Sequence, residues 1–389
     1  MPQPLLRIFR NIKGDRTIWV VVFFLSIFSL LAVYSSTGTL AYKNQGGNTE
    51  YYLIKHGIIL LFGLGFLYLA HMVKYTYYSR IGQLAIFIAV PLLLATLIIG
   101  ADINNARRVL QLPGGLTFQT SDLAKLALIM YLARMLTKKQ ADIGDFKKAF
   151  LPVLIPVLIV CFLILPANFS TAAMLLATSV VLMFIGGVKI RHLLLLGASF
   201  ILLLFLMVMV SKAFPNLLPR IDTWVSRVEN FKSGDGEESY QVEQAKIAIA
   251  NGGIVGRMPG NSKQRNFLPH PYSDFIFAII IEEYGLAGAF ILIMLYLVLL
   301  FRAIRISARA PNHFGALLSI GVALNLVFQA MVNMGVAVDL LPVTGQPLPL
   351  VSMGGTSVWF TAISIGIILS VSKEVEYRKK EGKTVEEAA

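Results

Sequence analysis

Apolar runs of about twenty residues, long enough to cross a bilayer as helices, alternate with short polar or basic segments along almost the whole chain. Ten such runs stand out, at about 18–36, 52–72, 83–101, 118–136, 149–166, 169–188, 193–212, 273–301, 313–337 and 353–372. A spanning segment must satisfy its own backbone, which favours helices. The pattern therefore predicts an all-α polytopic membrane protein with about ten transmembrane helices. One interval breaks the rhythm. Between helices 7 and 8 lies a loop at about 213–272. At roughly 60 residues it belongs to a length class that is usually functional or disordered. Residues 1–372 then form a single integral membrane domain, and 373–389 a charged tail, disordered or a short solvated helix.

Composition agrees with this reading. The chain has 389 residues, 56% hydrophobic and 14% charged, where a soluble domain carries about 25% charged residues. The net charge of +13 could suggest nucleic acid, but its placement excludes that reading. Taking the N-terminus as inside, cytoplasmic segments hold Arg7, Arg10, Lys13 and Arg16, the Lys138, Lys139, Lys147, Lys148 group, and the tail's Arg378, Lys379 and Lys380. The short outer loops and their margins hold Lys43, Lys55, Arg107 and Arg108. This asymmetry sets both termini in the cytoplasm, and the basic margins attract anionic membrane lipids. The basic N-terminus leads into a run too long for a cleavable signal core. Cys161 stands alone, and His56, His71, His192, His270 and His313 lack metal-ligand spacing, so no metal site is read from them.

Candidate chemistry gathers on the outer side. Within the long loop, Tyr240 to Ala250 reads as a helix with an apolar stripe of Val242, Ala245, Ala248 and Ile249, ended by Asn251-Gly252-Gly253. The stripe is expected on the membrane face or against other spans. Turns at Gly256, Pro259 and Gly260 follow, with Arg257, Lys263 and Arg265 among them. These form either a solvated basic loop or a cradle for phosphate, since turns expose N–H groups and arginine binds phosphate bidentately.

Asp274, after Ser273, opens the next span. It either caps the helix or acts as a general base whose pKa is raised at a partly desolvated boundary. Glu282 and Glu283 lie deeper, where an ionised group costs several kcal/mol unless paired or facing a polar cavity. On a regular helix Glu282 would stand about 80° from Asp274 and Glu283 about 180°. One glutamate is expected to pair with a buried cation, with Lys125 the leading candidate. Lys125 follows Gln119, Ser121 and Asp122 on the fourth span, and Asp122 is its i, i+3 neighbour. This polar network is either structural or catalytic.

Arg107-Arg108, in a loop class poor in cations, fits a pyrophosphate or lipid headgroup, or else anchors the interface. The last outer segment, Pro342-Val343-Thr344-Gly345-Gln346-Pro347-Leu348-Pro349 through Ser352, Gly354 and Gly355, is too irregular for an ordinary span end. Irregular backbone at membrane depth is tolerated where protein or a wet cavity covers it, so a re-entrant cavity wall is expected.

These stretches resemble the SEDS family (shape, elongation, division and sporulation). The matching segments are Ala106-Arg107-Arg108 through Lys125, Pro166-Ala167-Asn168-Phe169-Ser170-Thr171-Ala172, Ser239-Tyr240-Gln241-Val242 through Gly288, and Pro342 through Ser357. The resemblance implies a peptidoglycan glycosyltransferase of the bacterial cytoplasmic (inner) membrane. It would polymerise lipid II into β-1,4 glycan strands at the outer face, by inversion and with Asp274 as the essential acid. It looks closer to the division-associated FtsW type than to the elongation-associated RodA type. The implied partners are a class B penicillin-binding protein, a single-span transpeptidase, and other divisome or elongation components. A divalent cation (Mg or Mn) bridging the substrate pyrophosphate stays open, since no ligand set here is diagnostic. The chain departs from the family pattern at Gln119-Thr120-Ser121-Asp122, at Asn168, where an acid is usual, and at Pro269-His270-Pro271-Tyr272. Roles tied to those lost side chains do not transfer. The rival reading is a lipid-linked precursor flippase or other transporter, in which the intramembrane acids and Lys125 form a path. The inverted repeats common in transporters are not evident.

Overall fold

A computed structural model describes residues 13–103, 106–112, 116–213, 237–269 and 271–386. Among the described residues twelve α-helices run in order: α1 (Arg16–Ser36), α2 (Gly38–Gln45), α3 (Thr49–Met72), α4 (Tyr78–Ile99), α5 (Thr120–Lys138), α6 (Leu151–Ile164), α7 (Phe169–Ile185), α8 (Ile190–Ala213), α9 (Glu237–Gly252), α10 (Ile276–Arg309), α11 (His313–Ala337) and α12 (Thr356–Glu386). Every run expected to span is a helix, α9 is the helix expected within the long loop, and α2 is additional. Seven of the helices are long and apolar enough to cross a membrane: α1, α3, α4, α6, α10, α11 and α12. α7 and α8 are shorter apolar helices. α5 is diluted by Asp122, Lys125, Arg134 and Lys138. The chain is a multi-pass membrane protein.

Burial sorts the helices into layers. The apolar window of α11 is 72% buried and that of α4 only 28%, so α11 runs through the centre and α4 along the rim. Large apolar side chains on the rim, such as Phe87 and Ile98 on α4, stand exposed. An apolar flank of that extent is what a bilayer covers. At the N-terminal end of α1, Asp15 caps the helix, accepting from the Thr17 amide at 2.9 Å, and also meets the Arg302 guanidinium of α10 (Nε to Oδ2 2.6 Å). The last helix continues to Glu386, so most of the expected tail is a helical extension. Its Glu376 takes the Gly14 amide at 3.0 Å.

Two features depart from plain helices. The first is an antiparallel sheet of β1 (Ala101–Ile103), β2 (Ala106–Leu112) and β3 (Leu116–Phe118), in spatial order β1-β2-β3, which joins α4 to α5. Asn104-Asn105 and Pro113-Gly114-Gly115 between its strands are ordinary turn signals, and the purely helical expectation passed over them. The second is a break in α10 at Gly285, where φ is 68° and ψ −170°. That backbone region is essentially open to glycine alone. A Cβ there would collide with the Ile254 carbonyl, and one on Gly256 with the Glu283 carbonyl. The freed backbone groups are taken up by the loop after α9. Leu286 N–H donates to Gly253 O at 2.9 Å, Ala287 N–H to Ile254 O at 3.2 Å, and Arg257 N–H to Glu282 O at 2.9 Å. A broken helix is tolerated at this depth because neighbouring chain re-satisfies it.

The stripe on α9 packs inward. Val242, Ala245 and Ala248 are buried with Leu268, Phe275, Ala278, Ile279 and Val336, so α9 lies on the N-terminal end of α10 and the C-terminal end of α11. Residues 214–236 of the long loop and His270 lie outside the described residues.

Candidate active site

Asp274 sits in the turn just before α10. Three consecutive carbonyls of that turn are each tied to another element. Met353 N–H donates to Tyr272 O at 2.9 Å, Ser352 Oγ to Ser273 O at 2.6 Å, and Asn333 Nδ2 to Asp274 O at 2.9 Å. The capping position of α10 belongs to Phe275 and has no side-chain cap, so Asp274 does not cap the helix. Its Oδ1 instead accepts from Ser273 Oγ at 2.8 Å, and the residue is half-buried. A Cβ built on Gly345 would lie 3.8 Å from Asp274 Oδ2 and 4.0 Å from Arg108 Nη1. The carboxylate and the guanidinium thus flank one glycine of the last outer segment. Beside them, burial first, then Tyr52 and the Asp274 charge, raise the Tyr272 pKa above the ordinary phenol value, which keeps that hydroxyl neutral.

The segment between α11 and α12 is the irregular wall that its prolines and glycines predict. Gln346, Leu348, Val351 and Ser352 are buried in it. Its carbonyls are met one by one: Gln346 O by Asn333 Nδ2 at 2.7 Å, Pro347 O by Gln329 Nε2 at 2.9 Å, and Pro349 O by Tyr296 Oη at 2.6 Å. Ser352 Oγ also accepts Leu348 N–H at 2.8 Å, so Ser352 staples the wall to the Asp274 turn. Gly354 lies in the turn that leads into α12, and Gly355 packs near Thr117 of β3. Thr356 Oγ1 donates to Thr117 O at 3.2 Å and accepts Gln119 N–H at 3.2 Å, which pins the sheet to the wall.

Arg108 leaves β2 with Nε on Ala167 O at 3.0 Å. Arg107 lies beside it in β2, described by its backbone alone. Asn168, the position without the usual acid, caps α7 by accepting Thr171 N–H at 3.1 Å. Gln119 Nε2 donates to Ser121 Oγ at 3.1 Å.

The deep charges pair differently from the sequence expectation. Lys125 Nζ meets Asp122 Oδ1 at 2.7 Å and Gln329 Oε1 at 3.1 Å, and it pairs with neither glutamate. Asp274 is outside the helix and Gly285 breaks it, so the regular helical wheel does not apply across these acids. Glu282 and Glu283 are held by the loop. Glu282 accepts from Ser262 Oγ, Lys263 N–H at 3.1 Å and Gln264 N–H at 3.2 Å. Glu283 Oε1 accepts from Ser35 Oγ on α1 and from Ser262 N–H at 3.4 Å. Hydrogen bonds to a buried carboxylate offset its desolvation as an ion pair would.

The basic residues of the loop are largely engaged by protein. Arg257 folds onto Asn251, with Nη2 on Oδ1 at 3.0 Å. Arg265 Nη1 reaches Ser35 O at 3.1 Å and Ser35 Oγ at 3.3 Å. Lys263 alone of the three is exposed.

Residues 15–377 match the FtsW/RodA/SpoVE family model, described as cell cycle protein. The chain belongs to that family. Among FtsW/RodA/SpoVE relatives it is 30% identical over 376 residues to the probable peptidoglycan glycosyltransferase FtsW of Geobacter sulfurreducens, covering 94% of this chain and 96% of that one. It is 34% identical over 372 residues to the FtsW of Coxiella burnetii, so named as well, covering 92% and 96%. It is 31% identical over 375 residues to stage V sporulation protein E of Bacillus subtilis, covering 95% and 99%. A chain solved in a study of how a peptidoglycan synthase complex coordinates polymerization and crosslinking superposes with TM-score 0.68 at 27% identity, covering 93% of this chain and 98% of that one. The rod shape determining protein RodA of Thermus thermophilus shares the fold, with TM-score 0.66 at 24% identity and coverage of 93% and 97%. The resemblance read from the sequence is borne out.

The sequence reading did not single out Asn333, Gln329 or Gln346. A signal existed. Gln329 and Asn333 are polar amides four residues apart in a largely apolar span, continuing a four-residue step from Asn325, hence on one helix face, and such residues in lipid mark a buried polar contact.

Proposed function

We propose that this protein is a peptidoglycan glycosyltransferase that polymerises lipid II into β-1,4 glycan strands at the outer face of the bacterial cytoplasmic membrane. The observation that carries the reading is the half-buried Asp274 carboxylate facing the Arg108 guanidinium across Gly345. A proton acceptor and a cation at one spot are what an inverting transfer from a pyrophosphate donor needs.

Asp274 takes the proton of the acceptor sugar's 4-hydroxyl. That oxygen forms a bond to the donor anomeric carbon from the face opposite the leaving group. The bond from that carbon to the pyrophosphate oxygen breaks, and its electrons leave on the lipid-linked pyrophosphate. Arg108, with Arg107 beside it in the chain, offsets the growing negative charge. The proton on Asp274 passes to water before the next turn. Ser352, Gly354 and Gly355 shape the wall against which the substrate lies, and Lys125 belongs to the polar floor beneath it. Lys263 contributes charge from the loop, while Arg257 and Arg265 act chiefly by fixing the loop's shape. A divalent cation on the pyrophosphate would add to the arginine charge. The partner is a class B penicillin-binding protein within a division or elongation assembly, seated on α10 and α11.

The test uses the purified full chain with lipid II, alone and with such a transpeptidase, in liposomes that report both glycan product and lipid crossing. Glycan strands are expected. Lipid crossing with no polymer under either condition would replace this reading with a precursor flippase.

A further inference from the structure

We infer that Asn333 is a positioning residue for Asp274, the amide that sets the gap between the base and the wall opposite it. This inference rests on the reading of Asp274 as the base. Asn333 is 1% exposed, near the outer end of α11. Its Nδ2 donates to Asp274 O at 2.9 Å and to Gln346 O at 2.7 Å. Both partners are carbonyl oxygens, so the nitrogen must face them and the amide orientation is forced. One side-chain group therefore binds the two backbone strands that carry Asp274 and, next to Gln346, Gly345. Gly345 is also the residue against which the Asp274 carboxylate and the Arg108 guanidinium both lie.

Other ties on the turn act at one remove. Ser352 and Met353 hold Ser273 and Tyr272, fixing where the turn sits on the wall. Asn333 alone among these bonds reaches the backbone of Asp274 itself. It is continuous with the deeper network, because Gln329, one turn earlier on α11, donates to Pro347 O at 2.9 Å and accepts from Lys125 at 3.1 Å. The face of α11 that bears both amides thus holds two successive wall carbonyls, and the upper amide adds the catalytic turn. Removing the upper rung frees the turn to shift relative to the wall while the lower rung keeps the wall on the helix. A displacement near 1 Å at a reacting group costs roughly 100-fold in rate.

The experiment measures lipid II polymerisation by the full chain with its transpeptidase partner, with rates expressed per lipid II-binding site. The variants are Asn333→Ala, Asn333→Leu and Asp274→Asn. Asn333→Ala is expected to lower kcat roughly 100-fold with KM for lipid II within about twofold of wild type. Asn333→Leu refills the volume without restoring the donors, so it should recover melting temperature relative to alanine but not kcat. A purely structural role predicts the opposite, with rate returning alongside stability. Wild-type kcat in Asn333→Ala or Asn333→Leu, with Asp274→Asn inactive, would overturn the positioning role and leave the base intact. Full activity in Asp274→Asn would remove the base and this inference together. Should the leucine variant fail to fold, kcat of Asn333→Ala decides the matter alone.

Discussion

The two acidic stations around the N-terminal end of α10 use opposite logic. At Glu282 and Glu283 the carboxylates do the holding. Fully buried, they gather a loop hydroxyl, three loop amides and a serine of α1, and so fasten the loop over the Gly285 break. At Asp274 the backbone is what is held, through three consecutive carbonyls, while the carboxylate looks toward Gly345 and Arg108. The anchoring acids draw their donors from the loop and α1, with both bonds to Glu283 falling on Oε1. At Asp274 the main chain carries the fixing bonds to other elements, and the carboxylate accepts from the neighbouring Ser273 Oγ. The same residue class on one stretch of chain therefore anchors the loop in one place and, under the proposed function, takes a proton in the other.

Substitutions can break or sharpen this contrast. The largest stability loss is expected from Glu282→Leu, which strands two buried donors, Ser262 Oγ and Gln264 N–H, at about 1–3 kcal/mol each, and frees the part-buried Lys263 N–H. It should appear as a steep drop in melting temperature in detergent. Next comes Gly285→Ala, where the backbone conformation costs about 1–3 kcal/mol and the added methyl meets Ile254 O. Loop and helix should separate, seen as faster proteolysis between α9 and α10. Ser35→Ala removes the hydroxyl shared by Glu283 and Arg265 and should cost about 1–3 kcal/mol, again read by melting. Asp274→Asn should change stability by about 1 kcal/mol at most, because the three carbonyl ties on that turn remain and the amide oxygen can still accept from Ser273 Oγ. A melting loss for Asp274→Asn as large as that for Glu282→Leu would erase the distinction.

Much of this was legible in the chain. Hydropathy located the spanning helices because lipid demands long apolar runs. The glycines and prolines after α11 announced an irregular wall because few other residues tolerate such backbone. Asp274 stood out by its place at the outer boundary. Partner choice was not legible. Lys125 and the glutamates looked complementary because both are charged and deep, yet Lys125 found Asp122 on its own helix and the glutamates found backbone amides from the loop. Backbone donors carry no mark in a sequence, so an acid satisfied by them cannot be told from one awaiting a cation. The short sheet before α5 was missed for another reason: two of its three strands are only three residues long, too little alternation to register against the apolar runs on either side. The amides of α11 were visible, but which carbonyls they meet depends on chain brought together only by folding.

The most direct measurement compares lipid II binding and turnover in the same preparation of Asp274→Asn and wild type, each with its transpeptidase partner. If Asp274 is the proton acceptor, binding should stay within about twofold while polymerisation falls roughly 100- to 10,000-fold, the range of general base catalysis. Glycan strands formed by the variant at the wild-type rate would contradict the account.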